Sequence, residues 1–421
     1  MDFKAWTSVG VISEEILQAL VEMNFQSPTE IQRLTLPTSV FGKCDILGAA
    51  ETGSGKTLAF GIPIIQNIQK LIAKNPTDED NLYALILTPT RELAQQVHNH
   101  LKNVSKYTNV TIAAVIGGLA TVKQERVLKK NPHVVVATPG RLWELIQEGN
   151  VHLNKIDSIR YLVTDETDRM MEKGHFEELQ HLLLRINTDE QLKNRRQNFV
   201  FSATLTMVHE LPDYLQKRSK KSKAPKQTRE QKIKNFIGVF GMSNPKIVDV
   251  TKEAGTAEKL TESRILCPLE EKDFYLYYIL IKYPGRTIIF CNSIECVKRL
   301  TSLFSYLDVS PPALHGNMEQ KQRLKNLEKF EKNPQGVLIA TDVAARGLDI
   351  PNVNHVVHYQ VPTTAENYVH RSGRTARANE EGLAILLMDP TEVKFYIKLQ
   401  KTLKRSKICQ MIRKDQFSVI K

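Results

Sequence analysis

The stretch that decides the fold is Ala50-Glu51-Thr52-Gly53-Ser54-Gly55-Lys56-Thr57, near the start of the 421-residue chain. Gly53 and Gly55 allow the backbone to turn so that its N–H groups face a phosphate. Lys56 supplies a positive charge for the β- and γ-phosphate oxygens, and the Thr57 hydroxyl is a ligand for Mg²⁺. The strict form of this motif has glycine where Ala50 stands. The stretch predicts a phosphate-binding loop between a strand and a helix.

Short apolar runs rich in β-branched residues alternate with helical patterns along the chain. The runs that predict strands are Tyr83 to Leu87, Val134 to Ala137, Tyr161 to Val163, Phe199 to Phe201, Thr287 to Phe290, Val337 to Ala340, Val356 to His358 and Ala384 to Leu387. This alternation is typical of doubly wound parallel sheets, so we expect an α/β protein. Such sheets bind ligands at the carboxyl ends of their strands, where polar motifs follow several of these runs.

The length of the chain exceeds what one hydrophobic core usually organises, which predicts two domains. We expect an N-terminal domain over residues 1–250, a linker over residues 251–260 and a C-terminal domain over residues 261–421. The runs Phe236 to Phe240 and Lys246 to Val250 are assigned to the end of the first sheet. Lys217 to Lys234 is dense in Lys and Arg and lacks an apolar period, which predicts a loop. Its role stays open between a solvated tether and a basic arm that contacts RNA.

The composition favours a soluble intracellular protein with a polyanionic partner. The chain has 58 Lys and Arg against 46 Asp and Glu, a formal net charge of +12, which suits an acidic protein or a nucleic acid. Its five cysteines form no CxxC pair, and we expect them to be reduced thiols. The sequence contains no apolar stretch near the roughly 20 residues that span a bilayer, so no membrane partner is expected.

A group of acids follows the predicted strand that begins at Tyr161. In Asp165-Glu166-Thr167-Asp168, Asp165 is placed to hold a metal and Glu166 to orient or deprotonate an attacking water. An acid after a strand is otherwise most often a helix N-cap, which is the alternative for Asp165 or Asp168 alone. Together with Lys56, the acids indicate phosphoryl transfer. The stretch His370-Arg371-Ser372-Gly373-Arg374-Thr375-Ala376-Arg377 offers guanidiniums that would complete the phosphate site from the second domain.

These motifs resemble those of the DEAD-box RNA helicases of superfamily 2, over nearly the whole chain. The resemblance implies two RecA-like domains in tandem, with ATP and Mg²⁺ as cofactors. Phe25, Pro28, Thr29, Ile31 and Gln32 resemble the family's Q motif. It implies that Gln32 reads adenine through both atoms of its amide, with Phe25 and Thr29 in the same site, and that Trp6 packs on the base.

Further segments resemble the family's RNA-facing loops. In the first domain the residues implied as RNA contacts are Pro89, Thr90, Arg91, Gly117, Gly118, Thr138, Pro139 and Arg141. In the second domain they are Asn292, Gly316, Gln320, Arg323, Thr341 and Asp342. Gly347 and Asp349 are implied on the nucleotide side. Each of these residues taken alone is more often structural, and their joint order along the chain carries the resemblance.

The resemblance also implies residues that couple ATP to RNA. Ser202-Ala203-Thr204 matches the family's coupling motif, and Arg374 and Arg377 match its arginine fingers. His370 and Arg371 are implied to link to Asp168 and Ser202. Two departures bear on this site. Thr167 replaces the usual alanine and is expected to alter packing more than chemistry. Ala376 replaces a glycine, and the loss of an easily adopted positive φ is expected to shift Arg377.

Three stretches, Leu47 to Thr52, Arg169 to Phe176 and His370 to Arg377, resemble a nucleolar branch of the family linked to assembly of the large ribosomal subunit. The resemblance implies pre-ribosomal RNA and ribosome-assembly proteins as partners, a monomeric state, and a nuclear or nucleolar location. The implied function is an ATP-dependent RNA helicase that grips the backbone of single-stranded RNA between two lobes. It would locally unwind short duplexes or remodel ribonucleoprotein.

Two other classes of function stay open. One is an ATP-dependent RNA clamp or assembly scaffold with little unwinding, and the other is a DNA-directed or protein-remodelling ATPase. The Q motif and the loops at Gly117-Gly118 and Thr138 to Arg141 disfavour DNA. The intact Lys56, Glu166 and Arg374 disfavour an inactive scaffold.

Overall fold

The computed structural model describes residues 4–10, 12–50, 53–74, 81–171, 177–203, 229–251, 259–307, 309–342, 350, 352–376, 380–403 and 410–411. The chain divides into two compact units, Met1–Thr251 and Lys252–Lys421. Each unit is built on one sheet of seven described strands, and the strand pairs are parallel. The predicted α/β fold with two parallel sheets is confirmed.

The sheet of the first unit contains the four strands predicted between Tyr83 and Phe201. Its strands are β1 (Ile46–Ala49), β2 (Ala84–Leu87), β3 (Ile112–Val115), β4 (Val134–Ala137), β5 (Tyr161–Thr164), β6 (Gln197–Ser202) and β7 (Lys246–Asp249). They lie in the order β3-β4-β2-β5-β6-β1-β7. Because the strands are parallel, the segments that follow β2, β3, β4, β5 and β6 leave the sheet at the same edge as the loop after β1.

Helices cover both faces of this sheet. They are α1 (Lys4–Thr7), α2 (Glu14–Glu22), α3 (Glu30–Val40), α4 (Lys56–Lys74), α5 (Arg91–Val104), α6 (Thr121–Leu128), α7 (Pro139–Gln147), α8 (Thr167–Met170), α9 (Glu177–Ile186), α10 (Glu190–Arg195) and α11 (Arg229–Phe240). A short 3-10 helix spans Leu153–Ser158. Neighbouring strand residues alternate between two apolar clusters, as Ile86 joins one and Leu87 the other. Burial on both faces explains why the strands are continuous apolar runs.

The end of the first unit differs from expectation. Phe236 to Phe240, assigned to the sheet, belongs to helix α11, and so do the last six residues of the basic segment predicted as a loop. The physical reason is an apolar period: Ile233, Phe236, Ile237 and Phe240 recur at helical spacing and pack against the core. Residues 204–228, which include the rest of the basic segment, lie outside the described residues. The segment that begins at Lys246 belongs to the first sheet, as predicted, and forms β7, which pairs with β1.

The second unit repeats the architecture. Its strands are β8 (Leu260–Leu266), β9 (Thr287–Cys291), β10 (Ala313–Leu314), β11 (Val337–Thr341), β12 (His355–His358), β13 (Gly382–Met388) and β14 (Gln410–Met411), in the order β10-β11-β9-β12-β13-β8-β14. Its helices are α12 (Lys272–Lys282), α13 (Ile294–Ser305), α14 (Gln320–Lys332), α15 (Ala365–Ser372) and α16 (Val393–Thr402), with 3-10 helices at Leu269–Glu271 and Pro390–Glu392. Leu260, the last residue of the expected linker, is the first residue of β8.

The core of the second unit also has two apolar clusters. Ile288 and Phe290 of β9 belong to one cluster, and Ile289 and Cys291 belong to the other. Alternation of side chains along a strand therefore fills both faces of this sheet as well. Across the described part of the chain, no helix is both long and apolar enough to cross a membrane.

Candidate nucleotide and RNA sites

The phosphate loop connects β1 in the first sheet to the start of α4. Gly53 and Gly55 adopt φ values of 82° and 93°, a region that glycine enters without a steric penalty. A Cβ on Gly55 would lie 2.4 Å from Gln32 Nε2, so a side chain there would also displace the Gln32 amide. Lys56 is buried, and its Nζ donates a hydrogen bond to the Ala50 carbonyl at 2.8 Å. Thr52 lies outside the described residues.

Gln32 joins the start of helix α3 to the phosphate loop. Its Oε1 accepts from the Thr29 backbone N at 2.9 Å, and its Nε2 donates to the Gly55 carbonyl at 2.9 Å. Thr29 in turn caps α3 in a reciprocal capping box. A glutamine amide has two N–H donors and two acceptor lone pairs, so each atom keeps one further hydrogen-bonding direction. Gln32 therefore positions Gly55 and retains the capacity to bind a base.

Trp6 lies in the core, which differs from the expected stacking on a base. Its side chain is 3% exposed, and its indole Nε1 donates to the Phe25 carbonyl at 2.9 Å. A buried indole N–H requires an acceptor, and this one finds it in the Q-motif backbone. Phe25 packs partly buried against the same core. Trp6 therefore holds the Phe25 backbone in place from within the core.

The acidic motif begins where β5 ends. Asp165 Oδ1 accepts from the Glu166 backbone N at 2.9 Å, and Glu166 adopts φ 50° and ψ 47° in the left-handed region. Non-glycine residues in this region are strained, and such strain is concentrated at functional sites. Burial raises the pKa of Asp165 from 3.8 to about 6, while the charge of Lys56 acts in the opposite direction. β5 and β1 lie on either side of β6 in the parallel sheet, so the acids and the phosphate loop leave the sheet at the same edge, where the charge of Lys56 acts on Asp165.

The residues expected to hold Mg²⁺ are compatible with it. Thr57 lies half-buried in the first turn of α4, directly after Lys56, and Asp165 lies at the end of β5. Within the described ranges, no cluster of three or more His, Cys, Asp and Glu side chains is able to hold a metal ion. Mg²⁺ commonly takes only one or two protein oxygens and completes its shell with water and substrate phosphates. A hydroxyl and a carboxylate suit an ion that arrives with a nucleotide.

Thr167 contributes to packing, as expected. It is fully buried, and its Oγ1 lies 3.1 Å from both the carbonyl and the Oγ1 of Thr164. The hydroxyl thus ties the turn that carries Glu166 to the last residue of β5.

Asp168 is buried, and its Oδ1 accepts from the Arg169 backbone N at 3.1 Å. Ser202, also buried, ends β6, and its carbonyl accepts from the Ala50 backbone N at 3.1 Å.

Three loops named as RNA contacts leave the same edge of the first sheet, after β2, β3 and β4. Pro89 and Thr90 follow β2, and the Thr90 hydroxyl caps α5 by accepting from the Leu93 backbone N. The Arg91 guanidinium packs against Gly117, where an added Cβ would lie 2.8 Å from Nη2. The adjacent glycine, Gly118, has φ 79°. Gly118 thus suits the turn, and Gly117 leaves room for the Arg91 guanidinium, which a larger residue would displace.

The third of these loops carries Thr138, Pro139 and Arg141 after β4. Thr138 is the N-cap residue of α7 and Pro139 is its first residue. Arg141 is 8% exposed, donates from Nη2 to Thr121 Oγ1 at 2.8 Å and forms an ion pair with Glu144. Although it was expected to face RNA, Arg141 holds the start of α6 beside the glycine turn.

Gly316, Gln320 and Arg323 follow the short strand β10. Gln320 and Arg323 lie in the first turn of α14, and both are buried. The pKa of the neighbouring His315 is lowered by burial, and further by the charges of Lys298 and Arg323. The surroundings of His315 are therefore electropositive, which suits a phosphate.

Arg371, expected to link to Asp168 and Ser202, forms a polar cluster with side chains of the second unit. Its Nε and Nη2 donate to the two carboxylate oxygens of Asp342 at 2.5 and 2.7 Å, and Nη2 also donates to Asn292 Oδ1 at 2.7 Å. The side chain is 1% exposed and lies over the Phe290 ring. Since this guanidinium is buried among partners of its own unit, it connects Asn292 and Asp342, two expected RNA contacts.

The next arginine of this stretch, Arg374, is held by a backbone carbonyl of the same stretch. Arg374 is buried, and its Nε donates to the His370 carbonyl at 3.0 Å. His370 is buried too. Ala376 adopts φ 56°, so the positive φ persists although glycine is absent, at a cost of roughly 1–2 kcal/mol. Thr341 ends β11 beside Asp342. The described residues exclude Thr204, Gly347, Asp349 and Arg377.

Sequence reasoning missed two glutamines that brace these loops. Gln124 accepts from the Ile116 backbone N at 3.0 Å and donates to the Leu119 carbonyl at 3.2 Å, so it holds both sides of the glycine turn. Gln360 accepts from the Asn292 backbone N at 2.9 Å. Neither residue stands in a spacing pattern, and a single glutamine in a loop or a helix carries no signal of its own.

Comparisons with known proteins agree with this geometry. Residues 29–211 match the family described as DEAD/DEAH box helicase, and residues 271–379 match the helicase conserved C-terminal domain. The chain is 44% identical over 398 residues to the ATP-dependent RNA helicase mak5 of Schizosaccharomyces pombe, covering 93% of this chain and 59% of that protein. It is 40% identical over 523 residues to human ATP-dependent RNA helicase DDX24, covering 96% and 60%. The chain thus spans about 60% of the length of these curated relatives.

Solved structures are similar as well. The structure of the DEAD-box helicase Mss116 bound to ssRNA and UDP-BeF has a TM-score of 0.82 and 26% identity, covering 98% of this chain and 80% of that one. A DEAD box protein from Methanococcus jannaschii is 30% identical, covering 96% of this chain and 98% of that one, with a TM-score of 0.51. With both family models matched in order and the phosphate loop and acids at one sheet edge, the chain belongs to the DEAD/DEAH box helicase family.

Proposed function

We propose that this chain is an RNA-dependent ATPase that acts as an ATP-dependent RNA helicase. It would bind the backbone of single-stranded RNA and use ATP to unwind short duplexes locally or to remodel ribonucleoprotein. The observation that carries the proposal is the convergence of Lys56, Asp165 and Glu166 at one edge of the first sheet. Phosphoryl transfer depends mainly on positioning and on neutralising charge, which this set of residues provides.

The proposed roles follow from the chemistry of each group. Lys56 would exchange its hydrogen bond to the Ala50 carbonyl for one to the phosphate oxygens, because a charged amine binds a charged acceptor more strongly than a neutral carbonyl. Glu166 would hold the attacking water and accept its proton. Thr57 and Asp165 would hold Mg²⁺, which supplies neutralisation of phosphate charge when bound. The buried Asp165 would then ionise readily, because a cation beside a carboxylate lowers its pKa.

Gln32, with Phe25 and Thr29, would bind the adenine base, and Gly53, Ser54 and Gly55 the phosphates. Gly347 and Asp349 would contribute to the same site. Arg374 and Arg377 would add positive charge during hydrolysis, when charge spreads over the transferred phosphoryl group. Ser202, Thr204, Asp168, His370 and Arg371 would make ATP hydrolysis depend on RNA.

Sequence-independent binding of RNA is supported by the character of the expected contacts. The loops after β2, β3 and β4 present glycines, hydroxyls and Arg91, and the start of α14 is electropositive. Such groups suit sugar and phosphate, which carry no base sequence. Aromatic side chains of the kind that stack on bases are few in these segments. The net charge of +12 adds attraction for a polyanion.

The biological setting is a further part of the proposal. We propose pre-ribosomal RNA as substrate, ribosome-assembly proteins as partners and the nucleolus as location, with a monomeric chain. What supports this setting is the likeness of Leu47 to Thr52, Arg169 to Phe176 and His370 to Arg377 to a nucleolar branch of the family. Residues 1–250 and 261–421 would be its two helicase domains.

The direct test is steady-state ATP hydrolysis with single-stranded RNA, with DNA of the same length and with neither, at two salt concentrations. We expect stimulation by RNA alone. Glu166→Gln should reduce turnover by roughly 10²- to 10⁴-fold while ATP-dependent RNA binding survives. Glu148→Gln, an exposed carboxylate just past the end of α7, is the matched control and should behave as the wild type. Undiminished turnover in Glu166→Gln contradicts the proposal, and RNA binding without stimulated turnover in the wild type favours the clamp.

A further inference from the structure

The carboxyl ends of β9, β11 and β12 and the helix α15 are joined by one polar network. Arg371 of α15 binds both oxygens of Asp342, which follows β11, and also Asn292, which follows β9. Its Nη1 donates to the backbone carbonyl of Gln360, just past β12, at 3.3 Å. The network therefore connects the residues expected to touch RNA with the helix that leads into Arg374.

Gln360 contributes to this network twice. Its backbone carbonyl accepts from Arg371, and its side-chain Oε1 accepts from the Asn292 backbone N at 2.9 Å. Asn292 is further held through its Nδ2, which donates to the Val361 carbonyl at 3.0 Å. The Asn292 loop is thus bound on its backbone by Gln360 and on its side chain by Arg371 and Val361. Three contacts to one exposed residue leave its loop little freedom to move independently of α15.

We propose that Gln360 is a positioning residue that couples RNA binding at Asn292 to the helix carrying Arg371, an inference that rests on the proposed function. Its side chain fixes the conformation of the loop after β9, so RNA binds a loop that is already ordered. Any shift of this loop is transmitted to Arg371 and α15. Without the Oε1 acceptor the Asn292 N–H would bond to water, because Asn292 is exposed. The folded unit would then lose little stability, whereas RNA binding would have to order the loop first.

The experiment compares Gln360→Leu with Gln360→Glu in the full chain. Leucine has a similar size and no acceptor, whereas glutamate keeps an oxygen at the Oε1 position. A control is Gln335→Leu, which removes an exposed glutamine just before β11, at the opposite edge of the sheet. The readouts are unstimulated ATP turnover, the concentration of single-stranded RNA that gives half-maximal stimulation, and hydrogen exchange of the peptide that contains the Asn292 amide.

In Gln360→Leu we expect the half-maximal RNA concentration to rise by about 2- to 12-fold, the range for one hydrogen bond, with unstimulated turnover within about twofold of the wild type. Exchange at Asn292 should accelerate, and Gln360→Glu should restore both values. A purely structural role would instead lower every activity together and reduce the unfolding midpoint.

The inference is overturned if the Leu variant matches the wild type in both RNA dependence and exchange. Equal losses in the Leu and Glu variants would also overturn it, since they would show that the acceptor does not matter. A wild type that binds RNA without stimulation of turnover would overturn the proposed function on which the inference depends. Because the exchange measurement needs no RNA, it separates an error about the contact from an error about the activity.

Discussion

Replacing Asp165 by asparagine should stabilise the first unit while abolishing ATP hydrolysis. Burial raises the pKa of this carboxyl from 3.8 to about 6, so its ionised form is disfavoured in the folded chain. At pH 7.5 the carboxyl is ionised in both the folded and the unfolded chain, and folding bears the full cost of burying the charge. Asparagine has nearly the same shape and carries no charge.

The size and the pH dependence follow from linkage. A difference of about 2 pKa units corresponds to about 3 kcal/mol, an upper limit because Asp165→Asn also removes a counter-charge from Lys56. The folded chain binds the proton below pH 6 and the unfolded chain only below pH 4, so the stability of the wild type rises as the pH falls through this window. The advantage of Asp165→Asn should therefore shrink to about half at pH 5 and nearly vanish below pH 4.

Urea unfolding followed by tryptophan fluorescence reports on the relevant unit, because the two tryptophans of the chain, Trp6 and Trp143, both lie in the first unit. Asp157→Asn is the matched control. Its carboxylate is half-exposed and paired with Arg185, so its loss should cost no more than about 1 kcal/mol. An Asp165→Asn chain that is no more stable than the wild type at pH 7.5, or an advantage that does not change with pH, would refute the reasoning.

Three further substitutions test packing. Thr167→Ala should lower the free energy of unfolding by about 1 kcal/mol, because it removes the hydroxyl contact with Thr164, and should leave ATP turnover within about twofold; a large loss of turnover would show a chemical role instead. Gly382→Ala should destabilise the second unit by about 1–3 kcal/mol, because the new Cβ would lie 2.5 Å from the Ala376 backbone N. Gly238→Ala should instead stabilise the first unit by about 0.5–1 kcal/mol, because Gly238 lies on helix α11 with open space around the added Cβ. Circular dichroism in a urea titration measures both glycine variants, and equal effects of the two would contradict the contact geometry.

Much of the fold was accessible from the sequence because its signals are local. Strands buried on both faces must be apolar along their whole length, so runs such as Val134 to Ala137 and Thr287 to Phe290 stand out without any knowledge of their partners. The phosphate loop was equally visible, because Gly53, Gly55 and Lys56 act through backbone conformation and charge within a few residues. Helix α11 escaped prediction because its first six residues belong to the basic segment and its last five, Phe236 to Phe240, form a short apolar run that resembles a strand.

The amino-acid sequence by itself therefore determined the two parallel sheets, the phosphate loop and the acids that follow β5. Only the tertiary structure decided that the buried Trp6 binds the Phe25 backbone and that Arg141 holds the start of α6. It also decided that Arg371 binds Asp342 and Asn292 within the second unit. Arg371 and Asn292 are 79 residues apart in the chain, and the pairing of such distant groups leaves no pattern in either neighbourhood. Spacing reveals which residues share a strand or a helix, whereas hydrogen-bond partners are selected by burial, since a polar group removed from water must find whichever partner the fold brings near.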